Sequence, residues 1–156
     1  MGSEVNKSAI ELDVLRDFAD RARLPIQAGS VTKCLPPKPD ILCSLFNEGP
    51  VAFELVEICD WRHASAPSRL AREDVEYIRT SDPTWEIIRK KLKCKYQCVH
   101  AIELLCYTQG RVFTPEQMIS AKLRHFVSLM RKSSFRKVWF QGFRGVRLIW
   151  ARALPA

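Results

Sequence analysis

Residues 51–59, VAFELVEIC, form a nearly unbroken apolar, β-prone run with two carboxylates, Glu54 and Glu57, set inside it. An ionised carboxyl buried in an apolar strand is costly unless a cation or a metal meets it. This strand must therefore come with partners for its acids. Residues 40–46, DILCSLF, are a second β-prone run. Asn47-Glu48-Gly49-Pro50 between the two reads as a turn, so the pair is predicted to be a hairpin. Residues 98–107, CVHAIELLCY, are predicted as a further strand. Residues 135–141 and 146–151 form a second hairpin, with glycines in its turn Gly142-Phe143-Arg144-Gly145. A short strand is expected within Gly29 to Leu35.

Helical spacing separates these runs. In residues 8–22, Ile10, Val14, Phe18 and Ala22 recur on one face with Leu15 beside them. Ser8 and Glu11 have the spacing of a capping box, and Leu24-Pro25 ends the segment. A polar helix is expected to end near Arg79. Asp82 as N-cap and Pro83 at the first helical position open another, reaching Cys94 with Trp85, Ile88 and Leu92 inward. Thr114-Pro115-Glu116-Gln117 opens a last helix, carrying Met118, Ile119, Lys122, Leu123, Phe126 and Met130 at helical spacing to about Arg131. Strands mixed with helices, and hairpins at two places, predict an α/β (α+β) domain with one mixed central sheet flanked by helices. A chain of 156 residues fits a single domain, 1–156.

Several classes are disfavoured. No stretch approaches the roughly 18 apolar residues of a membrane span, and residues 1–9 lack an apolar signal core. The expectation is a cytoplasmic protein whose six cysteines are thiols. Cys94, Cys98 and His100 have no second pair at zinc-ligand spacing. No phosphate-binding glycine loop or nucleophile elbow occurs, and His63, His100 and His125 lack partners at catalytic spacing.

Charge is strongly polarised along the chain. Residues 1–86 carry 10 Lys/Arg against 15 Asp/Glu, whereas residues 87–156 carry 15 against only Glu103 and Glu116, and the whole chain is at +8. That pattern points to a polyanionic partner, nucleic acid first. One basic cluster is Arg89, Lys90, Lys91, Lys93 and Lys95. A second comprises Arg131, Lys132, Arg136, Lys137, Arg144 and Arg147, interleaved with Trp139, Phe140, Phe143 and Trp150. Lys and Arg neutralise phosphates, and an exposed aromatic such as Phe143 at its turn can stack on a base.

The acids suggest chemistry. Asp40 opens one strand and Glu54 lies in its hairpin neighbour, so antiparallel pairing can bring the two carboxylates together. Hard oxygen ligands at one point suit Mg²⁺ or Mn²⁺, which can activate water and neutralise a phosphate. Glu103 is expected to join this acidic cluster or to pair with a helix lysine. Pro39-Asp40 followed by Glu54 resembles the PD-(D/E)xK nuclease superfamily, over about residues 8–107. The resemblance implies a restriction endonuclease-like αβββαβ core, with residues 108–156 as a basic helix-hairpin extension. It implies Asp40, Glu54 and Glu57 as catalytic acids, and Asp40, Glu54 and Glu11 as metal ligands. Where that family has its lysine, two residues after the acid, this chain has Val56, and Lys38, Arg89 and Lys90 are the candidate replacements. Without the lysine, the alternative is a non-cleaving nuclease fold that binds nucleic acid or an acidic protein partner.

Overall fold

A computed structural model describes residues 2–60, 82–130 and 132–153. The helix expected before Arg79, His63 and Arg131 lie outside these residues. The described elements are α1 (Gly2–Ala22), β1 (Thr32–Lys33), β2 (Ile41–Leu45), β3 (Gly49–Glu57), α2 (Thr84–Lys93), β4 (Ala101–Tyr107), α3 (Glu116–Leu129), β5 (Phe135–Gly142) and β6 (Gly145–Ala151). The strands form one six-stranded mixed sheet in the order β1-β2-β3-β4-β5-β6. β1, β2 and β3 run antiparallel, β3, β4 and β5 are parallel, and β6 returns antiparallel.

Strand alternation divides the core between the two faces. Phe53 and Leu55 of β3, with Leu105 and Tyr107 of β4, pack under Val14, Leu15 and Phe18 of α1. Ala52, Leu104 and Cys106 face the other way, against Ile88 and Leu92 of α2 and Ile119, Leu123 and Val127 of α3. Both faces of the central strands are thus covered, which explains why β3 and β4 read as near-continuous apolar runs.

Several local expectations change. Helix α1 begins at Gly2, so Ser8 is interior and does not cap it; Glu11 is buried instead and pairs with lysines. Trp85 does not face inward: it is 36% exposed and packs against the Phe126 ring at 4.6 Å. Strand β4 begins at Ala101, so His100 precedes it. In β5 the register slips after Ile102↔Phe135 to Glu103↔Lys137, leaving Arg136 as the extra residue of a bulge. The start of α2 falls one residue later than expected, with Pro83 as N-cap, and Asp82 stands just before it: its Oδ1 accepts the Thr84 N–H at 2.9 Å and the Thr84 hydroxyl at 2.6 Å. The final hairpin turn is fastened to α3, because the Glu116 carboxylate accepts the Phe143 N–H at 2.6 Å and the Arg144 N–H at 3.3 Å. All six cysteines are free thiols. Among the described residues no helix is long and apolar enough to cross a membrane.

Candidate functional site

The β2–β3 register pairs Ile41 with Phe53 and Leu42 with Ala52. Continued by one residue, it sets Asp40 across from Glu54. Two hydrogen bonds fix that arrangement: the Asp40 N–H donates to Glu54 Oε2 at 3.1 Å, and the Leu55 N–H donates to Asp40 Oδ2 at 2.9 Å. Glu54 is only 5% exposed and shares the sheet face of Ala52, toward α2. From the last turn of α2, the Lys91 ammonium donates to Glu54 Oε1 at 2.5 Å. Burial pushes the Glu54 carboxyl above its ordinary range; the Lys91 hydrogen bond opposes that shift, and the nearby Asp40 charge adds to it. The Tyr96 hydroxyl lies beside Glu54 and Cys94 without meeting hydrogen-bond geometry to either. Burial first, and then the Glu54 charge, push that phenol upward.

Asp40 is also tied to α1. Lys33 of β1 bonds Glu11 and stands 3.7 Å from Asp40 Oδ1. Lys7 approaches Glu11 from within α1 at 3.6 Å. Glu11 thus reaches Asp40 through an ammonium group, from the far side of the sheet to Glu54.

The remaining acids are engaged elsewhere. Glu57 ends β3, and Arg111 donates to both its carboxylate oxygens at 2.8 and 2.5 Å. Alternation sets it on the face opposite Glu54. Glu103 neither joins the acidic pair nor meets a helix lysine. Arg136 Nε donates to it at 2.8 Å and Trp139 Nε1 at 2.7 Å, with Lys137 at 3.7 Å. The β5 bulge gathers those two cations on one buried acid.

Of the basic residues, Arg89, Lys90, Lys93, Lys95, Lys132 and Arg144 are exposed, and Phe143 is 74% exposed at its turn. Arg136 also meets Glu48 at 2.6 Å, so it bridges two carboxylates. Neither Lys38 nor the exposed Arg89 and Lys90 is the cation found on Glu54; Lys91 is. Its phase carries the signal, because Lys91 flanks the buried Ile88 and Leu92 of α2. Lys33 had no such signal in a two-residue strand.

Among the described residues no group of three or more His, Cys, Asp or Glu is arranged to hold a metal, the Cys94, Cys98 and His100 set included. Asp40 and Glu54 are two carboxylates brought together across the hairpin, and N–H or ammonium groups stand at each of their oxygens. Compared with known proteins, the chain matches no family model, no curated protein and no solved structure.

Proposed function

We propose that this protein is a divalent-cation-dependent phosphodiesterase of the nuclease type, acting on nucleic acid. Asp40 and Glu54 hold Mg²⁺ or Mn²⁺, and Lys91 takes the part of the lysine missing at Val56. The observation that carries this reading is the cross-strand carboxylate pair with an ammonium group at 2.5 Å from Glu54. When bound, the cation supplies charge neutralisation at a phosphoryl oxygen and a more acidic water. The chain's own residues do the rest. Lys91 orients a water beside Glu54 and offsets negative charge gathering at the phosphate. Lys33 holds Asp40 and Glu11 in register. The exposed cations of α2 and of the C-terminal hairpin bind the phosphate backbone away from the reacting group. Glu57, closed off by Arg111 at the end of β3, keeps a structural part.

Incubation with supercoiled plasmid, single-stranded DNA and RNA, each with Mg²⁺ or Mn²⁺, tests the reading. Cleavage is expected, and is lost in Asp40→Ala, Glu54→Ala and Lys91→Met. No cleavage of any substrate, or cleavage that survives these substitutions, overturns it.

A second reading has its own support. Each oxygen of the two carboxylates already accepts a hydrogen bond or faces an ammonium group. A fold so neutralised suits a protein that binds nucleic acid without cutting it. Steeply salt-dependent binding with no cleavage selects this reading. Absence of nucleic-acid binding at low salt points to an acidic protein partner.

A further inference from the structure

Beside the carboxylate pair lies a cleft of about 450 Å³ between the loop before Asp40 and the loop before β4. Its floor is Leu42, Ala52 and Pro39, and its rim carries Lys38, Gln97 and His100. The two loops are joined where the Gln97 N–H donates to the Pro37 carbonyl at 3.0 Å. Leu42 and Ala52 are themselves a cross-strand pair. On the same face, they are the pair next to Asp40 and Glu54. Two residues of strand separate the pairs by about 7 Å. That distance is comparable to the step from one nucleotide to the next in an extended strand.

The geometry points to this cleft as the seat of one unstacked nucleobase of a single-stranded nucleic acid, an inference that rests on the nucleic-acid reading above. Its volume falls within the range of pockets that enclose small ligands. The floor is apolar, as the face of a base requires. The Gln97 amide at the rim offers both a donor and an acceptor to a base edge. Lys38, exposed on the rim, suits a base that arrives on a phosphodiester chain, whereas Lys33 and Lys91 are taken up by Glu11, Asp40 and Glu54. A base inside a duplex cannot enter the cleft between the loops without leaving its stack. The site therefore prefers single strands, or duplexes with an unpaired base, and places the phosphate beside the seated base over Asp40 and Glu54.

The test uses a fluorescein-labelled twelve-nucleotide thymidine strand, a fully abasic strand of the same charge, and the 156-residue chain in Ca²⁺ buffer. Val99 lines the cleft and is 95% exposed, so Val99→Trp fills the opening without touching the core. Wild-type protein is expected to bind the thymidine strand about tenfold or more tightly than the abasic one, in line with the usual contribution of a held base. Val99→Trp removes that preference and leaves abasic binding unchanged. A strand carrying 2-aminopurine gives a second readout: its emission rises as the base leaves its neighbours. Equal affinity for both strands, with no effect of Val99→Trp and unchanged 2-aminopurine emission, overturns the base seat. Salt-dependent binding in that case leaves the nucleic-acid reading standing. Binding to neither strand overturns both.

Discussion

Replacing Lys91 with Met should destabilise the fold in a pH-dependent way. The Glu54 side chain is 7% exposed and that of Lys91 29%. Removing one partner of a fully buried pair costs about 3–5 kcal/mol, because the other charge is left behind. Partial exposure of Lys91 discounts this to about 2–3 kcal/mol, and the Met stem keeps much of the lysine's apolar packing. For a chain of this length the loss corresponds to a fall in Tm of roughly 5–10 °C. The Glu54 carboxyl is already raised by burial. A carboxyl raised in the folded state binds protons more tightly there than in the unfolded chain. Its charge therefore costs stability above the folded pKa and costs nothing below the unfolded value of about 4.3. Loss of the Lys91 hydrogen bond raises it further. Thermal unfolding followed by circular dichroism should show a larger deficit at pH 8 than near pH 5. Glu54→Gln in the same chain should recover part of it, giving non-additivity of about 1–2 kcal/mol. A Tm change below about 1 °C, or one equal at both pH values, would refute the coupling.

Other consequences follow from the same contacts. Among the described residues, Arg136→Ala leaves the 2%-exposed Glu103 with Trp139 and the more distant Lys137, and should cost about 3 kcal/mol in chemical denaturation. In Gly142→Ala the new Cβ would stand 2.4 Å from the Glu116 carboxyl, driving it off the Phe143 and Arg144 N–H groups. The expected loss is about 1–2 kcal/mol, and it should largely vanish in a Glu116→Ala background. Lys90→Ala with Lys93→Ala should weaken nucleic-acid binding uniformly across sequences and flatten its salt slope by about 1 per lysine. An unchanged slope would remove α2 from the interface.

Much of the fold was legible because hydrophobic period carries it. Five strands and the two hairpins sit within a few residues of the apolar runs and turns that mark them. Asp82 and Pro83 mark the start of α2 through local hydrogen-bond chemistry. The missed features are tertiary. Ser8 and Glu11 satisfy the capping-box pattern, yet Glu11 also falls three, four and seven residues before Val14, Leu15 and Phe18. That phase put it on the buried stripe, where Lys33 meets it. The bulge at Arg136 obeys no sequence period, so the gathering of Arg136 and Lys137 on Glu103 was not readable. The first hairpin was readable but its register was not: a turn at 47–50 would set Asp40 across from Glu57, whereas β3 already begins at Gly49, paired with Leu45, and that shift sets Asp40 across from Glu54. Which lysine reaches them was not readable either, since it depends on the rotation of α2 against the sheet.

Titration with Mn²⁺, followed by the loss of the free-ion electron paramagnetic resonance signal, interrogates the two acids themselves. One bound ion per chain is expected in the wild type, absent in Asp40→Asn and Glu54→Gln and retained in Glu57→Gln. No binding by the wild type, or binding indifferent to Asp40 and Glu54, would contradict a cation site on the β2–β3 hairpin.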